Sequence, residues 1–269
     1  MGILNVTPDS FSDGGEYLDL DAAVAHGLAL HAEGADIVDV GGESTRPGAL
    51  RADPRTERDR VVPVVEQLTA AGVPVSVDTM RADVAMAAVA AGAGLVNDVS
   101  GGLADPDMLA AVAGADVDYV AMHWRGHSDR MVGLASYADV VAEVCSELSD
   151  RLDAALAAGI AKDRIILDPG LGFAKTAAHN WELLRRLDTL ATLGRPLLVG
   201  ASRKRFLGEL LADEDGPRPV REREDAGVAI TALVAAQHVW GVRTHTARPH
   251  RDAIAAAHRL AARDGRDAG

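Results

Sequence analysis

The feature that most constrains this sequence is a regular alternation of short β-rich runs with longer amphipathic stretches rich in Ala, Leu and Val. The runs that favour strands are GILNV (2–6), DIVDV (36–40), PVSVD (74–78), GLVNDV (94–99), DYVAMH (118–123), RIILD (164–168), PLLVG (196–200) and GVRTH (241–245). The helical patterns between them lie near 20–33, 54–71, 80–91, 105–113, 137–158, 178–193, 224–239 and 247–263. Eight β-then-α units over about 250 residues predict an α/β fold, a single-domain (β/α)₈ TIM barrel. An open, doubly wound parallel sheet is the alternative.

Two further patterns agree with a barrel. The strand-forming runs are almost wholly apolar, as in parallel sheets that are covered on both faces. Glycines that would end helices come shortly before strands, at Gly34, Gly72, Gly92, Gly114, Gly159 and Gly194. No shift of composition marks a second domain, so we expect one barrel over residues 1–263 and a frayed tail over 264–269. The segment 211–227 has little pattern, and we expect a mobile surface loop there.

The charge balance excludes several classes of partner. The chain has 40 acidic and 27 basic residues, a net charge of −13, which argues against a general surface for nucleic acid or for anionic membranes. No run approaches the roughly 18 apolar residues of a membrane helix, and no basic region followed by an apolar run opens the chain, so we expect no signal peptide. The single Cys145 excludes an intramolecular disulfide and fits a reducing compartment. We therefore expect a cytoplasmic protein.

Polar or charged groups follow every predicted strand, at the end of a barrel where active sites lie. They are Asn5, GGESTRPG (41–48), Asp78-Thr79, Asn97-Asp98, His123-Trp124, DPGLGFAKT (168–176), GASRKRF (200–206) and Arg243 with His245. Taken singly, Asp78 is equally well read as the cap of the helix that follows. Because all eight strand ends carry a polar or charged group, we expect a shared site at this end instead.

The types of side chain at these ends indicate a ligand with two different parts. Carboxylates at Asp78 and Asp168 can each accept two parallel N–H bonds from a flat heterocycle with a guanidine-like edge. Cations at the later exits, such as Arg243, suit the phosphate site that many barrels build at their last two βα units. The residues alone thus predict a polar heterocycle on one side and a phosphorylated or carboxylated group on the other.

Together these segments closely resemble the dihydropteroate synthase family, folate-pathway enzymes that sulfonamide drugs target. The motifs that carry the resemblance are, in chain order, MGILNVTPDSFSDGG, DVGGESTRPGA, VSVDTMRADVA, VNDVSGG, LDPGLGFAKT, GASRKRFLG and GVRTH. The likeness runs from residue 1 to about 260. It implies a transferase that condenses 6-hydroxymethyl-7,8-dihydropterin pyrophosphate with 4-aminobenzoate, through a dissociative pterin cation, and gives 7,8-dihydropteroate and pyrophosphate.

The resemblance also implies which residues bind the substrates. It assigns the pterin ring to Asp78, Asn97, Asp168 and Lys204, with Val99 and Met122 packed beside the ring, and it makes Asp78, Asp168 and Lys204 the catalytic residues. It assigns 4-aminobenzoate to Thr45, Pro47, Phe173, Ser202 and Lys204. It assigns the pyrophosphate to Asn5, Thr45, Arg243 and His245, and loop closure over the site to Asp9, Phe11 and Arg46. Asn5 resembles the family's Mg²⁺ ligand, and a site with one neutral oxygen fits a Mg²⁺ ion that arrives with its phosphate.

Three smaller expectations concern the loops. Ser202 is predicted to cap the helix in RKRFLGEL. Lys175, one of only three lysines among the 27 basic residues, is expected to be a solvated loop residue. Ala174 stands where many members of the family have Gly, which would stiffen the loop after the sixth strand.

Two alternatives to a synthase stay open on the sequence. One is a non-catalytic pterin-binding paralogue, and the other is a pterin-dependent methyltransferase domain, which resembles this chain at Asp78, Asn97 and Asp168. STRPG, SRK and Arg243 with His245 favour the synthase, because a methyltransferase has no use for an aminobenzoate pocket or a pyrophosphate site. The resemblance further implies a homodimer formed by outer helices, with AGVAITALVAAQ (226–237) as a candidate face.

Overall fold

Eight short strands alternate with helices along the part of the chain that the computed structural model describes, residues 1–7, 20–43, 52–127 and 131–262. The strands are β1 Gly2–Asn5, β2 Val38–Gly41, β3 Val75–Asp78, β4 Leu95–Asp98, β5 Asp118–Met122, β6 Ile165–Asp168, β7 Leu198–Val199 and β8 Gly241–Val242. The helices are α1 Leu20–Ala32, α2 Pro54–Ala70, α3 Ala82–Ala90, α4 Met108–Gly114, α5 Val140–Ala157, α6 Ala177–Arg185, α7 Leu187–Ala191, α8 Arg205–Leu210, α9 Glu224–Ala235 and α10 Arg248–Ala261. The expectations placed on Asp9, Phe11, Thr45, Arg46, Pro47 and the tail 264–269 lie outside the described residues.

The strands form a closed cylinder. β1 to β6 pair in chain order and in parallel, and β7 pairs in parallel with β8. A bridge between Leu167 and Leu197 joins β6 to the β7 edge, and a bridge between Gly2 and Thr244 joins β8 back to β1. This order confirms the TIM barrel and excludes the doubly wound sheet, whose strand order reverses part of the way across.

The barrel interior changes from apolar to polar along the strands. Side chains two residues apart on a strand share a face, so the buried cluster Leu95, Val120, Ile166 and Leu198 is followed, two residues later, by Asn97, Met122, Asp168 and Gly200. A larger apolar core lies between the strands and the surrounding helices. The interior is therefore sealed at one level and polar at the level where the strands end.

Most of the predicted helix ends are confirmed. Gly34, Gly72, Gly92, Gly159 and Gly194 all have a positive φ, the conformation that lets glycine end a helix without a steric penalty. α2 begins at Pro54 behind Asp53, whose side chain accepts a hydrogen bond from the Thr56 N–H at 3.0 Å. The glycines set where these helices end, and Asp53 sets where α2 begins.

Two local expectations are wrong. Ser202 does not cap the helix in RKRFLGEL, because α8 begins at Arg205 and Lys204 is its cap; Arg203, with φ +60°, turns the chain between Ser202 and the helix. The segment 211–227 is not a loop throughout, because a 3₁₀ turn spans Val220–Arg223 and α9 follows directly. Arg223 is buried there and donates from Nε to the Arg218 carbonyl at 2.7 Å. Every helix in the described part of the chain is too short or too polar to span a lipid bilayer.

Candidate active site

The centre of the site is an arginine held between two buried carboxylates. Arg243, just after β8, donates from Nε to Asp39 Oδ2 and from Nη2 to Asp78 Oδ2, each at 2.6 Å. Asp39 is fully buried, and Asp78 is 8% exposed. Both bonds are charge-assisted and therefore strong. The expected division into an acidic side and a cationic side is thus incomplete, because Arg243 contacts the carboxylate predicted to bind the pterin.

Asp39 is a site residue that the sequence reasoning missed. It lies inside β2 and accepts hydrogen bonds from Arg243 and, at 2.9 Å, from Asn97 Nδ2. Its other oxygen, Oδ1, has no hydrogen-bond partner among the described residues. A carboxylate in the middle of an otherwise apolar strand, as in DIVDV, is the signal that could have found it, since a buried charge needs a partner.

Asp78 and Asn97 are neighbours across adjacent strands. β3 and β4 pair with Asp78 opposite Asn97, and both side chains are buried. Asp78 does not cap the following helix, because α3 starts at Ala82 with Arg81 as its cap. Both residues therefore project from the strand ends into the interior, as predicted.

The charge on Asp78 is costly to keep. Burial raises the pKa of Asp78 to about 7, the Arg243 guanidinium opposes this rise, and the Asp39 carboxylate adds to it. An acid that is ionised only near neutral pH is typical of a functional site. A cationic or N–H-rich ligand would therefore bind Asp78 favourably, because its N–H groups would replace the hydrogen bonds to water that the carboxylate loses on burial.

Asp168, at the end of β6, and Lys204, the residue before α8, carry opposite charges that influence each other. Burial raises the pKa of Asp168, and Lys204 is the largest influence that lowers it. Burial likewise lowers the pKa of Lys204 to about 8, against the effect of Asp168. The Asp168 side chain also accepts from the Gly170 N–H at 2.7 Å, and Lys204 Nζ donates to the Leu171 carbonyl. Met122 lies opposite Asp168 in the ladder between β5 and β6.

An apolar cluster lies at the same end of the barrel. Val99 and Met122, predicted to flank the pterin, are buried together with Met80, and Phe173 and Trp124 pack against them. The Phe173 ring centroid is 5.1 Å from Lys204 Nζ. A residue predicted for 4-aminobenzoate thus contacts the same cluster as residues predicted for the pterin. Met80 and Trp124 were not singled out from the sequence for this cluster.

Ser202 and His245 join the last two strand exits. Ser202 Oγ lies 3.0 Å from His245 Nδ1 and accepts from the His245 backbone N–H at 3.3 Å. The Thr246 hydroxyl donates to Glu224, and His250 Nε2 lies 3.0 Å from the same Glu224 oxygen. These contacts fix the turn that leads into α10, which begins at Arg248.

Asn5 ends β1 and is half-buried, opposite Gly41 in the ladder with β2. Among the described residues, no group of three or more His, Cys, Asp or Glu side chains could hold a metal ion. A single carboxamide oxygen fits Mg²⁺ only as one ligand of several, because Mg²⁺ usually keeps waters and takes substrate phosphate oxygens as ligands. The donor at Asn5 is therefore compatible with Mg²⁺ bound to a diphosphate.

Lys175 is not solvated, which corrects the expectation placed on it. Its ammonium group lies inside the loop between β6 and α6, 2.8 Å from His123 Nδ1. Sequence spacing placed Lys175 in a loop but carried no information on the direction of its side chain.

The structure thus brings together Asp78, Asn97, Asp168, Lys204, Val99, Met122, Phe173, Ser202, Arg243, His245 and Asn5 at one end of the barrel. Their individual roles stay predictions. Chemically, the arrangement offers buried carboxylates for a flat N–H-rich ring, cations for a leaving anion and an apolar wall for an aromatic partner.

Comparisons with known proteins agree with this geometry. A sequence model described as "Pterin binding enzyme" matches residues 1–245. A dihydropteroate synthase from Mycobacterium leprae is 58% identical over 256 residues, which cover 94% of this chain and 90% of that protein. Among solved structures, Xanthomonas albilineans dihydropteroate synthase with 4-aminobenzoic acid superposes with a TM-score of 0.90 at 46% identity, over 98% of this chain and 93% of that one. The same enzyme in complex with 7,8-dihydropteroate superposes with a TM-score of 0.86 at 44% identity, over the same shares of the two chains.

Proposed function

This chain belongs to the pterin-binding enzyme family, and we propose that it acts as a dihydropteroate synthase. The reaction joins the methylene carbon of 6-hydroxymethyl-7,8-dihydropterin pyrophosphate to the amino nitrogen of 4-aminobenzoate and releases pyrophosphate. The observation that carries this proposal is the convergence of buried Asp78, Asn97 and Asp168 with half-buried Lys204 and Arg243 in one polar layer. A structural relative that was solved with 7,8-dihydropteroate supports the same product.

The first step breaks the bond between the methylene carbon and the pyrophosphate oxygen. The ring nitrogens of the dihydropterin supply electrons, so the carbon becomes part of a delocalised cation and the pyrophosphate leaves with the bonding pair. The Asp168 and Asp78 carboxylates stabilise that cation because they are held in place before the reaction. Arg243 and His245 stabilise the departing anion.

The second step forms the C–N bond. The amine of 4-aminobenzoate attacks the cation, and the resulting ammonium loses its proton to solvent or to pyrophosphate. Phe173 would orient the ring of 4-aminobenzoate. Lys204, whose Nζ lies 5.1 Å from the Phe173 ring centroid, would reach both substrates. No strong general base is required, because a protonated aromatic amine is already acidic.

Mg²⁺ is part of the proposal. It would be held by Asn5 together with pyrophosphate oxygens and water, and when bound it would supply positive charge to the leaving group. The half-buried carboxamide of Asn5 at the end of β1 supports this arrangement. Asn5→Ala should raise the Mg²⁺ concentration for half-maximal rate at least about tenfold, as the loss of a binding group does at other metal sites. Asn5→Asp, which keeps an oxygen, serves as the control.

The two alternatives lack support from a specific contact. A methyltransferase domain would not need the Ser202–His245 pair or a cation at Arg243. A non-catalytic paralogue would keep the ring-binding carboxylates without retaining groups suited to a leaving anion. The synthase alone accounts for both parts of the site.

Product formation tests the proposal. The purified chain is incubated with the pterin pyrophosphate and 4-aminobenzoate, with Mg²⁺ or with EDTA, and the products are measured by mass spectrometry. We expect equimolar dihydropteroate and pyrophosphate that depend on both substrates and on Mg²⁺. Pterin binding without release of pyrophosphate would favour the non-catalytic paralogue and overturn the synthase.

We further propose that the chain is a cytoplasmic homodimer. Exposed leucines on two adjacent outer helices, Leu233 on α9 and Leu260 on α10, support an interface there, with exposed fractions of 67% and 89%. Leu233 lies in the stretch 226–237 that was chosen from the sequence. Sedimentation of the wild type should give a dimer and of Leu233→Glu a monomer, and a monomeric wild type would contradict the proposal.

A further inference from the structure

Lys175 has a complete set of acceptors inside the loop that joins β6 to α6. Its Nζ lies 2.8 Å from His123 Nδ1, 3.0 Å from the Gly170 carbonyl and 3.1 Å from the Phe173 carbonyl. An ammonium group has three N–H donors, so all of them are used. Neither the proposed mechanism nor the motifs discussed above give this lysine a role.

The His123 imidazole, which accepts a hydrogen bond from Lys175, is held by a second hydrogen bond at its other nitrogen. Because His123 Nδ1 accepts from Lys175, its Nε2 carries the proton and donates to Glu147 Oε2 at 2.9 Å. Glu147 also accepts from Arg125 Nε at 3.1 Å. Burial and the nearby Lys175 lower the pKa of His123 to about 2, so the ring stays neutral. Lys175 is therefore anchored through β5 to α5, outside its own loop.

The end of β6 and the loop after it carry one predicted contact for each substrate, Asp168 for the pterin and Phe173 for 4-aminobenzoate. The Gly170 N–H is bound by Asp168 and its carbonyl by Lys175, so this peptide is held on both sides. Gly170 has φ +66°, and a Cβ there would lie 2.3 Å from the His123 carbonyl oxygen, so the loop is packed tightly on β5. Phe173, whose carbonyl Lys175 also binds, presents its ring to the cluster with Met122.

We propose that Lys175 is a positioning residue that sets the separation of the two substrates, by binding the Gly170 carbonyl behind Asp168 and the Phe173 carbonyl behind the aromatic ring. This inference rests on the proposed function. Lys175 does not touch the reacting atoms and acts through the loop and through its charge. Asp168, Lys204, Arg125 and Glu147 are the charged groups that face it.

The charge of Lys175 gives the proposal a readout that a purely structural role would lack. Lys204 is the largest influence that lowers the pKa of Asp168, and the Gly170 N–H, Arg243 and Lys175 add to it in that order. Removing the ammonium should therefore raise the pKa of Asp168 and move the acid limb of kcat/KM for the pterin pyrophosphate to higher pH. Burial lowers the pKa of Lys175 itself to about 7, so this effect is greatest below neutral pH.

The test compares Lys175→Met and Lys175→Arg with Lys162→Met, an exposed lysine in the 3₁₀ turn before β6. We expect Lys175→Met to raise the KM for 4-aminobenzoate about 10- to 100-fold and to shift the acid limb upward, while Lys162→Met changes neither. Lys175→Arg keeps the charge but not the three-pronged geometry, so it should restore the acid limb and leave KM raised. If Lys175→Met does not fold, Lys175→Gln is measured in its place.

Two results would overturn the proposal. One is a Lys175→Met enzyme with the kinetic constants and pH profile of Lys162→Met. The other is an enzyme that loses thermal stability and rate while its KM for 4-aminobenzoate and its acid limb stay at wild-type values. A wild type without synthase activity would refute the proposed function instead, so the two failures are distinct.

Discussion

Arg243 Nη2 donates to Asp78 Oδ2 at 2.6 Å, so the cation predicted to bind the leaving pyrophosphate rests on the carboxylate predicted to bind the pterin ring. A pterin that engages Asp78 must share it with Arg243 or displace it. When a pterin binds Asp78, Asp39 remains as a buried counter-ion for the Arg243 guanidinium. The two halves of the site are therefore electrostatically linked before either substrate arrives.

The pH dependence of stability should report Asp78. Its pKa is raised from 3.8 to about 7 in the folded protein, so between these pH values the native state binds more protons than the unfolded state, and stability falls as pH rises. Asp78→Asn removes this contribution. We expect the free energy of unfolding of the wild type, relative to Asp78→Asn, to fall by about 4 kcal/mol from pH 4 to pH 8. Urea denaturation at several pH values measures it, and a constant difference would count against a raised pKa.

Two neighbours of Asp78 should shift its pKa in opposite directions. Arg243 lowers the pKa of Asp78 and Asp39 raises it, so Arg243→Gln should move the titration upward and Asp39→Asn should move it downward. The pH dependence of 6-hydroxymethyl-7,8-dihydropterin binding, followed by calorimetry, gives the midpoint without the pyrophosphate. Arg248→Gln, at an exposed position in the first turn of α10, is the matched control. Shifts of the same sign in both variants would refute the linkage.

Ala174 offers a gain in stability. Its φ is +47°, a left-handed conformation that costs a residue with a Cβ roughly 1–2 kcal/mol. The resemblance drawn from the sequence implied that Gly is usual at this position in the family. Ala174→Gly should raise the free energy of unfolding by about 1 kcal/mol, which thermal or urea denaturation can measure. Ala158→Gly, at the end of α5 where φ is −72°, is the control, and an equal gain in both variants would argue against relief of strain.

The fold was predictable because its signals are local and repeated. The apolar strands, the amphipathic helices and glycines such as Gly34 and Gly72 each depend on a few neighbouring residues, and eight repeats of one unit leave few architectures. The strand ends could be placed for the same reason, so the residues that meet at one rim, such as Asp78 and Asn97, followed from the sequence.

Contacts between distant segments were not predictable in this way. The bond from Arg243 to Asp39 joins residues 204 positions apart and depends on how β8 closes against β1. Lys175 was expected in solvent because a loop sequence does not state which side of the loop a side chain takes. Ser202 carries the usual signature of a helix cap, but the left-handed Arg203 moves the start of α8 to Arg205, and Ser202 contacts His245 instead.

The rate of dihydropteroate formation by Asp168→Asn tests the central claim most directly, because Asp168 is the buried carboxylate expected to stabilise the pterin cation. We predict a fall in kcat of at least about 100-fold, while Asp118→Asn, at the opposite end of the barrel on β5, keeps wild-type turnover. The Asn side chain can still accept from the Gly170 N–H, so the loss would reflect the charge. Near-wild-type turnover by Asp168→Asn would contradict the account.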